Sequence, residues 1–335
     1  MPMLTPSQVH LDQPLTNLTL AYLQDESNFI AGKVFPMVDV AKQSDKYYIY
    51  DRENFNRSGE RKALAPRTRP ERVGMSISNS NYFADVYGLA TDFDEQTLAN
   101  EDAALEIRSA GANMLMHNML IDREKDWVTN FFSTGVWTTE WDGNTSGGAT
   151  GTDVVHWDDY TNSTPIVDVT SARRTMQLAS GGFKPNTMVV GKAVRDSLIN
   201  NPDILARLNG GSTITNTALV ADSKLAEIFE VENFYVMEAV ENSAAEGIAE
   251  SNAFIGGKHA MLTYTPSSAG LMSPAAGLTF TWNSLPGASF GVSVESFTGD
   301  FLRVEGIAEE LHVKQAYDMK VVGADLGMFF NGVIS

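Results

Sequence analysis

Residues Asp102 to Ser133 read DAALEIRSAGANMLMHNMLIDREKDWVTNFFS, and the rest of the chain is arranged around this stretch. No proline interrupts it. Gly111 is its one poor helix former, at a cost of about 1 kcal/mol against alanine. Asn100 or Asp102 can cap the start, and Glu101, Asp102 and Glu106 suit the positive end of a helix dipole. Apolar residues recur at Leu105, Ala112, Leu115, Met116, Met119, Leu120, Trp127 and Phe131, a stripe of helical period. At 1.5 Å per residue such a helix is about 45 Å long, far above the globular mean. A helix of that length acts as a strut.

Working outward toward the N-terminus, residues 41–92 predict a long β-hairpin. Lys46 to Tyr50 (KYYIY) is aromatic and β-branched, and Val73 to Tyr87 carries the returning strand. Between them, residues 51–72 are polar and broken by Gly59, Pro66 and Pro70, as expected of a tip. A lone two-stranded hairpin is marginal in water, so an exposed one of this length makes sense lying across a partner. Residues 1–40, punctuated by Pro2, Pro6, Pro14 and Pro36, predict an arm that buries its apolar groups against its own chain or a neighbouring one.

On the C-terminal side, Thr134 to Tyr160 reads as a Gly- and Thr-rich loop anchored by Trp137, Trp141 and Trp157. An α/β unit of about 100 residues follows. Its expected helices are Val167–Ala179, Lys192–Leu208 (broken at Asn201-Pro202) and Thr217–Phe229. Its expected strands are Thr187–Val190, Phe234–Met237, Ala253–Gly256 and His259–Tyr264. Alternation at Leu278–Asn283 and Phe290–Glu295, then a ladder from Phe301 to Val322, predicts a strand-rich end.

The net charge of −18 disfavours a nucleic-acid binder. The charge is uneven. Residues 52–72 hold Arg52, Arg57, Arg61, Lys62, Arg67, Arg69 and Arg72 against three glutamates, a local +4 that leaves −22 on the remainder. An acidic body with one basic finger invites pairing between copies of the chain, while a solvated surface loop explains the same charges. With no cysteine, disulfides, thiolate nucleophiles and Cys-ligated metals are excluded. No apolar run is long enough to span a bilayer.

Catalytic patterns fail one by one. Gly287-Ala288-Ser289-Phe290-Gly291 matches G-x-S-x-G, but that elbow needs a helix after the serine, and a strand pattern follows here. A hydrolase using Ser289 is the alternative this match keeps open. His10, His117, His156, His259 and His312 are scattered, with no metal-binding spacing. Asp142, Asn144 and Asp153 lack EF-hand order, and Asn186 stands where a phosphate loop needs glycine. Neither catalysis, a cofactor nor a metal is expected.

An arm, a hairpin, a strut helix, an α/β unit and returning strands occur here in one order. That order, with Ser27 to Arg57, LIDREKDWVTNFF (Leu120 to Phe132) and LHVKQAYDMKVVGADLGMFF (Leu311 to Phe330), resembles the major capsid proteins of tailed bacteriophages with the HK97-type fold. The resemblance implies an α+β fold. Its parts would be an N-terminal arm (1–40), an E-loop hairpin (41–92), a spine helix with peripheral domain (93–165) and an axial domain with a strand-rich extension (166–300). Long peripheral strands (301–320) and a return to the axial domain (321–335) would complete it. It implies hexamers and pentamers closing into an icosahedral shell around DNA in the virion, built in the host cytoplasm. The E-loop tip would lie on a neighbour's acidic surface, and the portal protein would be a partner. Because the sequence starts almost directly at the arm, a separate scaffolding protein, or prior removal of a scaffold segment, is expected, and a decoration protein stays open. Some members crosslink through lysine and asparagine; Lys62 lies in the tip, but no convincing partner accompanies it. An encapsulin-like compartment loaded with protein cargo shares the fold and is a further alternative.

Overall fold

The structure is a computed structural model that describes residues 24–50, 56–59, 63–64, 66–70, 72–74, 76–100, 107–145, 152–208, 220–245, 247–268, 273–284, 292–298 and 307–335. It is a mixed α+β molecule built on two sheets joined by one long helix.

In chain order, the first elements are a short helix α1 (Ala31–Val34) and strand β1 (Met37–Val40). Strands β2 (Ser44–Tyr50), β3 (Ile77–Phe83) and β4 (Asp85–Asp94) follow, then helix α2 (Glu95–Ala99) and the strut α3 (Ile107–Phe131). The predicted first residues of the strut, 102–106, fall outside the described residues. Its buried face is Ile107, Gly111, Leu115, Met119, Glu124 and Trp127, a stripe that turns slowly around the helix. Two members of that stripe correct the sequence reading. Gly111 is a packing requirement, because a Cβ there would stand 2.7 Å from the Phe93 ring. Glu124, a charged residue in an apolar stripe, is discussed below.

The first sheet is organised by β14 (Ile307–Val321), a 15-residue strand. One edge of β14 pairs antiparallel with β4 along Ile307 to Tyr317. Its other edge is shared end to end by β13 (Val292–Phe297) and β12 (Gly277–Trp282). Strand β1 then adds parallel to β12. The pairing shifts register between Ile307 and Glu309, and the strand continues through it. Glu309 turns toward Arg108 of α3 and Ser296 of β13, so the strut is tied to the sheet by an ion pair at 2.5 Å.

The second sheet has six strands, in the order β6-β5-β15-β11-β7-β8. These are β5 (Thr139–Asn144), β6 (Asp153–Val155), β7 (Thr187–Gly191), β8 (Asn233–Met237), β11 (Ala260–Thr263) and β15 (Gly327–Asn331). A separate pair, β9 (Val240–Asn242) with β10 (Asn252–Phe254), lies at its margin. Helices α4 (Pro165–Ala179), α5 (Lys192–Asn200), α6 (Pro202–Leu208) and α7 (Asp222–Phe229) supply Val169, Met176, Val194, Leu198, Ile204, Leu225 and Phe229 to the core of this sheet. Helix α7 begins at Asp222, later than the predicted Thr217. The segment 134–160, read as a loop, contributes β5 and β6 here, and its three tryptophans are buried as expected. Strands β12 and β13, read with the α/β unit, belong to the first sheet.

A shared aromatic core joins the two halves. Phe35, from the end of the arm, packs edge-on against Trp127 of the strut and Trp137, and Phe132 stacks on Trp127 while meeting Phe329 of β15. Phe29, Ile30, Ala31, Val34 and Phe35 thus bury themselves against their own chain. Residues 1–23 of the arm lie outside the described residues.

Candidate inter-subunit surfaces

Strands β2 and β3 form the hairpin, with Ser44 opposite Phe83 and Tyr50 opposite Ile77. Strand alternation divides it into two faces. On one face Tyr82 stacks on Phe280 at 4.6 Å and Tyr47 tilts against the same ring at 5.3 Å. On the other, Tyr48 is 68% exposed, and Ile77 and Phe83 are each 51% exposed. Such a row of apolar side chains in water is a surface built for contact. The return strand expected over Val73 to Tyr87 is interrupted at Ala84. At Ala84 the chain leaves the hairpin, and β4 enters the first sheet. Gln43 and Ala84 fix that corner: the Ala84 N–H donates to the Gln43 carbonyl, and the Gln43 amide donates to the Ala84 carbonyl.

Of the seven basic tip residues, Arg57, Arg67, Arg69 and Arg72 are described, and all four are exposed. Arg52, Arg61 and Lys62 lie outside the described residues. Arg67 sits at φ +69°, a left-handed conformation typical of a tight turn. Sequence reasoning missed a residue beside them. Asn56 donates a hydrogen bond of 3.0 Å to the carbonyl of Gly181, in the turn after α4. Nothing in local sequence signals a partner 125 positions away.

The arm is held by a buried carboxylate. Glu124, 1% exposed, accepts the Ile30 N–H at 3.1 Å and the Ala31 N–H at 2.9 Å. It thereby caps the first turn of α1 from a different helix. Burial raises its pKa above the usual carboxylate value, against the lowering effect of these two N–H groups and of Arg123. Next to it, Lys125 pairs with Glu241 at 2.6 Å, linking the strut to the margin of the second sheet.

Ser289 lies outside the described residues, and the segment after it, Val292–Phe297, is a strand rather than the helix an elbow needs. Among the described residues no group of three or more His, Cys, Asp or Glu side chains is placed to hold a metal. Asp142 and Asp153 face each other across the β5–β6 ladder, and Asp142 accepts from Asn331. His117 packs edge-on against Phe29, and burial lowers its pKa; His259 lies between Phe132 and Phe329 and accepts the Gly332 N–H. A cleft of about 400 Å³ beside α4 is lined by Arg173, Lys184, Glu230 and Glu232, and Arg173 is already committed to Glu230.

No protein-family model matches the chain. It is 26% identical over 327 residues to the major capsid protein of Pseudomonas phage JBD67, covering 97% of each. It is 24% identical over 265 residues to that of Burkholderia phage BcepMu, covering 78% of each. Its fold matches a phage-related protein from Bordetella bronchiseptica RB50 with a TM-score of 0.67 at 16% identity, covering 92% of this chain and 93% of that one. The capsid structure of cyanophage P-SCSP1u gives 0.58 at 10% identity, covering 95% and 91%. The α+β arrangement of hairpin, strut and two sheets is therefore the HK97-type fold of phage shell proteins. The similarity to these two phage major capsid proteins runs along 97% and 78% of the chain.

Proposed function

We propose that the chain closes as hexamers and pentamers into an icosahedral shell around double-stranded DNA, forming the head of a tailed phage. It is a shell component of the virion and acts by self-association. The observation that carries the particular assembly mode is the hairpin. It packs one face on its own body and presents Tyr48, Ile77 and Phe83, with a basic tip, to the outside. A neighbouring subunit is the partner that fits, since the rest of the chain carries −22. Closed symmetry then repeats each weak contact many times.

In this reading the first sheet and the strut form the peripheral domain. The six-stranded sheet, including β5 and β6, forms the axial domain. The residual negative charge, turned inward, repels DNA and leaves it free to be filled and ejected. Assembly takes place in the host cytoplasm with a portal. Electron microscopy and light scattering of the purified chain test the reading: uniform shells, or rings of five and six, are expected. Reversing Arg57, Arg61 and Arg67 to Glu should impair assembly while leaving the subunit folded. Normal shells from that triple variant would remove the tip from the interface.

A further inference from the structure

The end of β15 carries a chemistry that shell building does not use. Asn331 closes the strand and Gly332 follows it. In any Asn-Gly pair the glycine nitrogen is one ring closure away from the asparagine side-chain carbonyl carbon. What an ordinary strand withholds is a base for that N–H and room around the nitrogen. Both are supplied here. The Gly332 N–H donates to His259 Nδ1 at 3.0 Å, so an imidazole lone pair already faces the proton to be removed. Burial, in contact with Phe132 and Phe329, lowers the pKa of His259 and favours its neutral form. Around this corner the titratable groups are Asp142, Asp153 and His156 on the β5–β6 side, Lys258, which donates to the Ser335 carbonyl, and Lys192, which pairs with Glu238 beyond β7. The Asn331 amide donates to Asp142 at 2.9 Å in an exposed position, which turns the leaving nitrogen toward water. Gly332 sits at φ +58°, and no described atom lies within 4 Å of the place a Cβ would take, so its nitrogen is uncrowded.

We propose that Asn331 is a self-deamidation site, with His259 as the general base for ring closure by Gly332. His259 takes the Gly332 amide proton, the nitrogen bonds to Asn331 Cγ, and the Cγ–Nδ2 bond breaks. The proton passes to the departing nitrogen, which leaves as ammonia, and a succinimide joins residues 331 and 332. Water then opens the ring at one carbonyl or the other, leaving aspartate or isoaspartate at 331. Water is the only co-reactant, and nothing is oxidised or reduced. A positioned base contributes about 10²–10⁴-fold to such a proton transfer. The product changes the sheet. Asn331 stands opposite Asp142 in the β15–β5 register, and Asp142 opposite Asp153 in the β5–β6 register. A carboxylate at 331 exchanges the hydrogen bond to Asp142 for like-charge repulsion along that row. The reaction needs only the folded subunit, so it is independent of assembly.

Peptide mass spectrometry of the incubated full chain tests this, by following the exchange of NH2 for OH at residue 331. The reference is the same chain unfolded in urea, where Asn331 has only solvent as base. The folded chain should react about tenfold faster or more. An equal or slower folded rate overturns the proposal, since an ordinary strand protects its asparagines. The pH profile separates a base from a structural neighbour. In the folded chain the rate should rise only until His259 is neutral, at a pH below the ordinary 6.5, and then level off. In urea it should climb in proportion to hydroxide throughout. A folded profile that climbs like the unfolded one overturns His259 as the base. His259→Gln should bring the folded rate down to the unfolded one, with circular dichroism to check the fold, and an unchanged fast rate overturns the assignment. If that variant does not fold, the wild-type pH profile decides.

Discussion

Replacing Glu124 by Ala probes how the arm is fastened to the strut. The carboxylate is 1% exposed and takes the N–H groups of Ile30 and Ala31, both themselves buried. Removing it orphans two buried donors, at about 1–3 kcal/mol each. It also opens a cavity beneath α1. Part of the loss is recovered, because a buried carboxylate is costly to desolvate and its raised pKa records that cost. The expected loss is about 2–5 kcal/mol at neutral pH. Urea unfolding followed by tryptophan fluorescence suits the measurement, since Trp127 lies one turn away in the same core. Glu124→Gln keeps one acceptor and should cost less, about 1–2 kcal/mol. The pH dependence has a definite sign. A folded pKa above the ordinary 4.5 means that this group's contribution is complete below 4.5 and declines as pH climbs through the folded value. The penalty of Glu124→Gln should therefore shrink as pH rises. A Glu124→Ala variant within about 0.5 kcal/mol of wild type, the range of ordinary surface changes, would refute the capping account.

Other perturbations have equally definite outcomes. Asp168, whose pKa burial pushes up to about 6, should destabilise the fold by about 2–3 kcal/mol as pH rises from 3.8 toward 6, and Asp168→Asn should flatten that part of a stability-versus-pH curve. Gly277→Ala drives a methyl into the Phe35 ring, which is hemmed in by Trp127, Phe131 and Trp137, so a loss of about 1–3 kcal/mol is expected in thermal unfolding. Tyr48→Glu, on the exposed face of the hairpin, should leave subunit stability within about 0.5 kcal/mol and reduce shell yield in sedimentation.

Local periodicity was a good guide wherever the physics is local. Helix α4, the break at Asn201-Pro202, and strands β7, β8 and β11 all fall close to where their residues predict them. What sequence could not show is which distant strands meet. Strand β1 pairs with β12 some 240 positions on, and β5 is flanked by β15 from the other end of the chain. Short strands such as Asp153–Val155 carry too few residues for alternation to register. Glu124 misleads for a different reason. A charge on a helix reads as solvent-facing, and only the arrival of two unpaired N–H groups from the arm makes its burial tolerable. The basic tip was legible as composition, and its outward exposure is seen at Arg57, Arg67, Arg69 and Arg72. The Asn56 contact with Gly181 was not, because one amide meeting one carbonyl leaves no pattern in sequence.

Strand β15 has a consequence for how the protein is made. Residues 327–331 lie between β5 and β11, strands synthesised long before it. Until β15 is inserted, those two have no common neighbour, and Phe329 and Phe330 are missing from the two cores they fill. A chain still growing on the ribosome therefore holds a split sheet and cannot present a finished subunit. The six-stranded sheet is therefore complete only once residues 327–331 have been made.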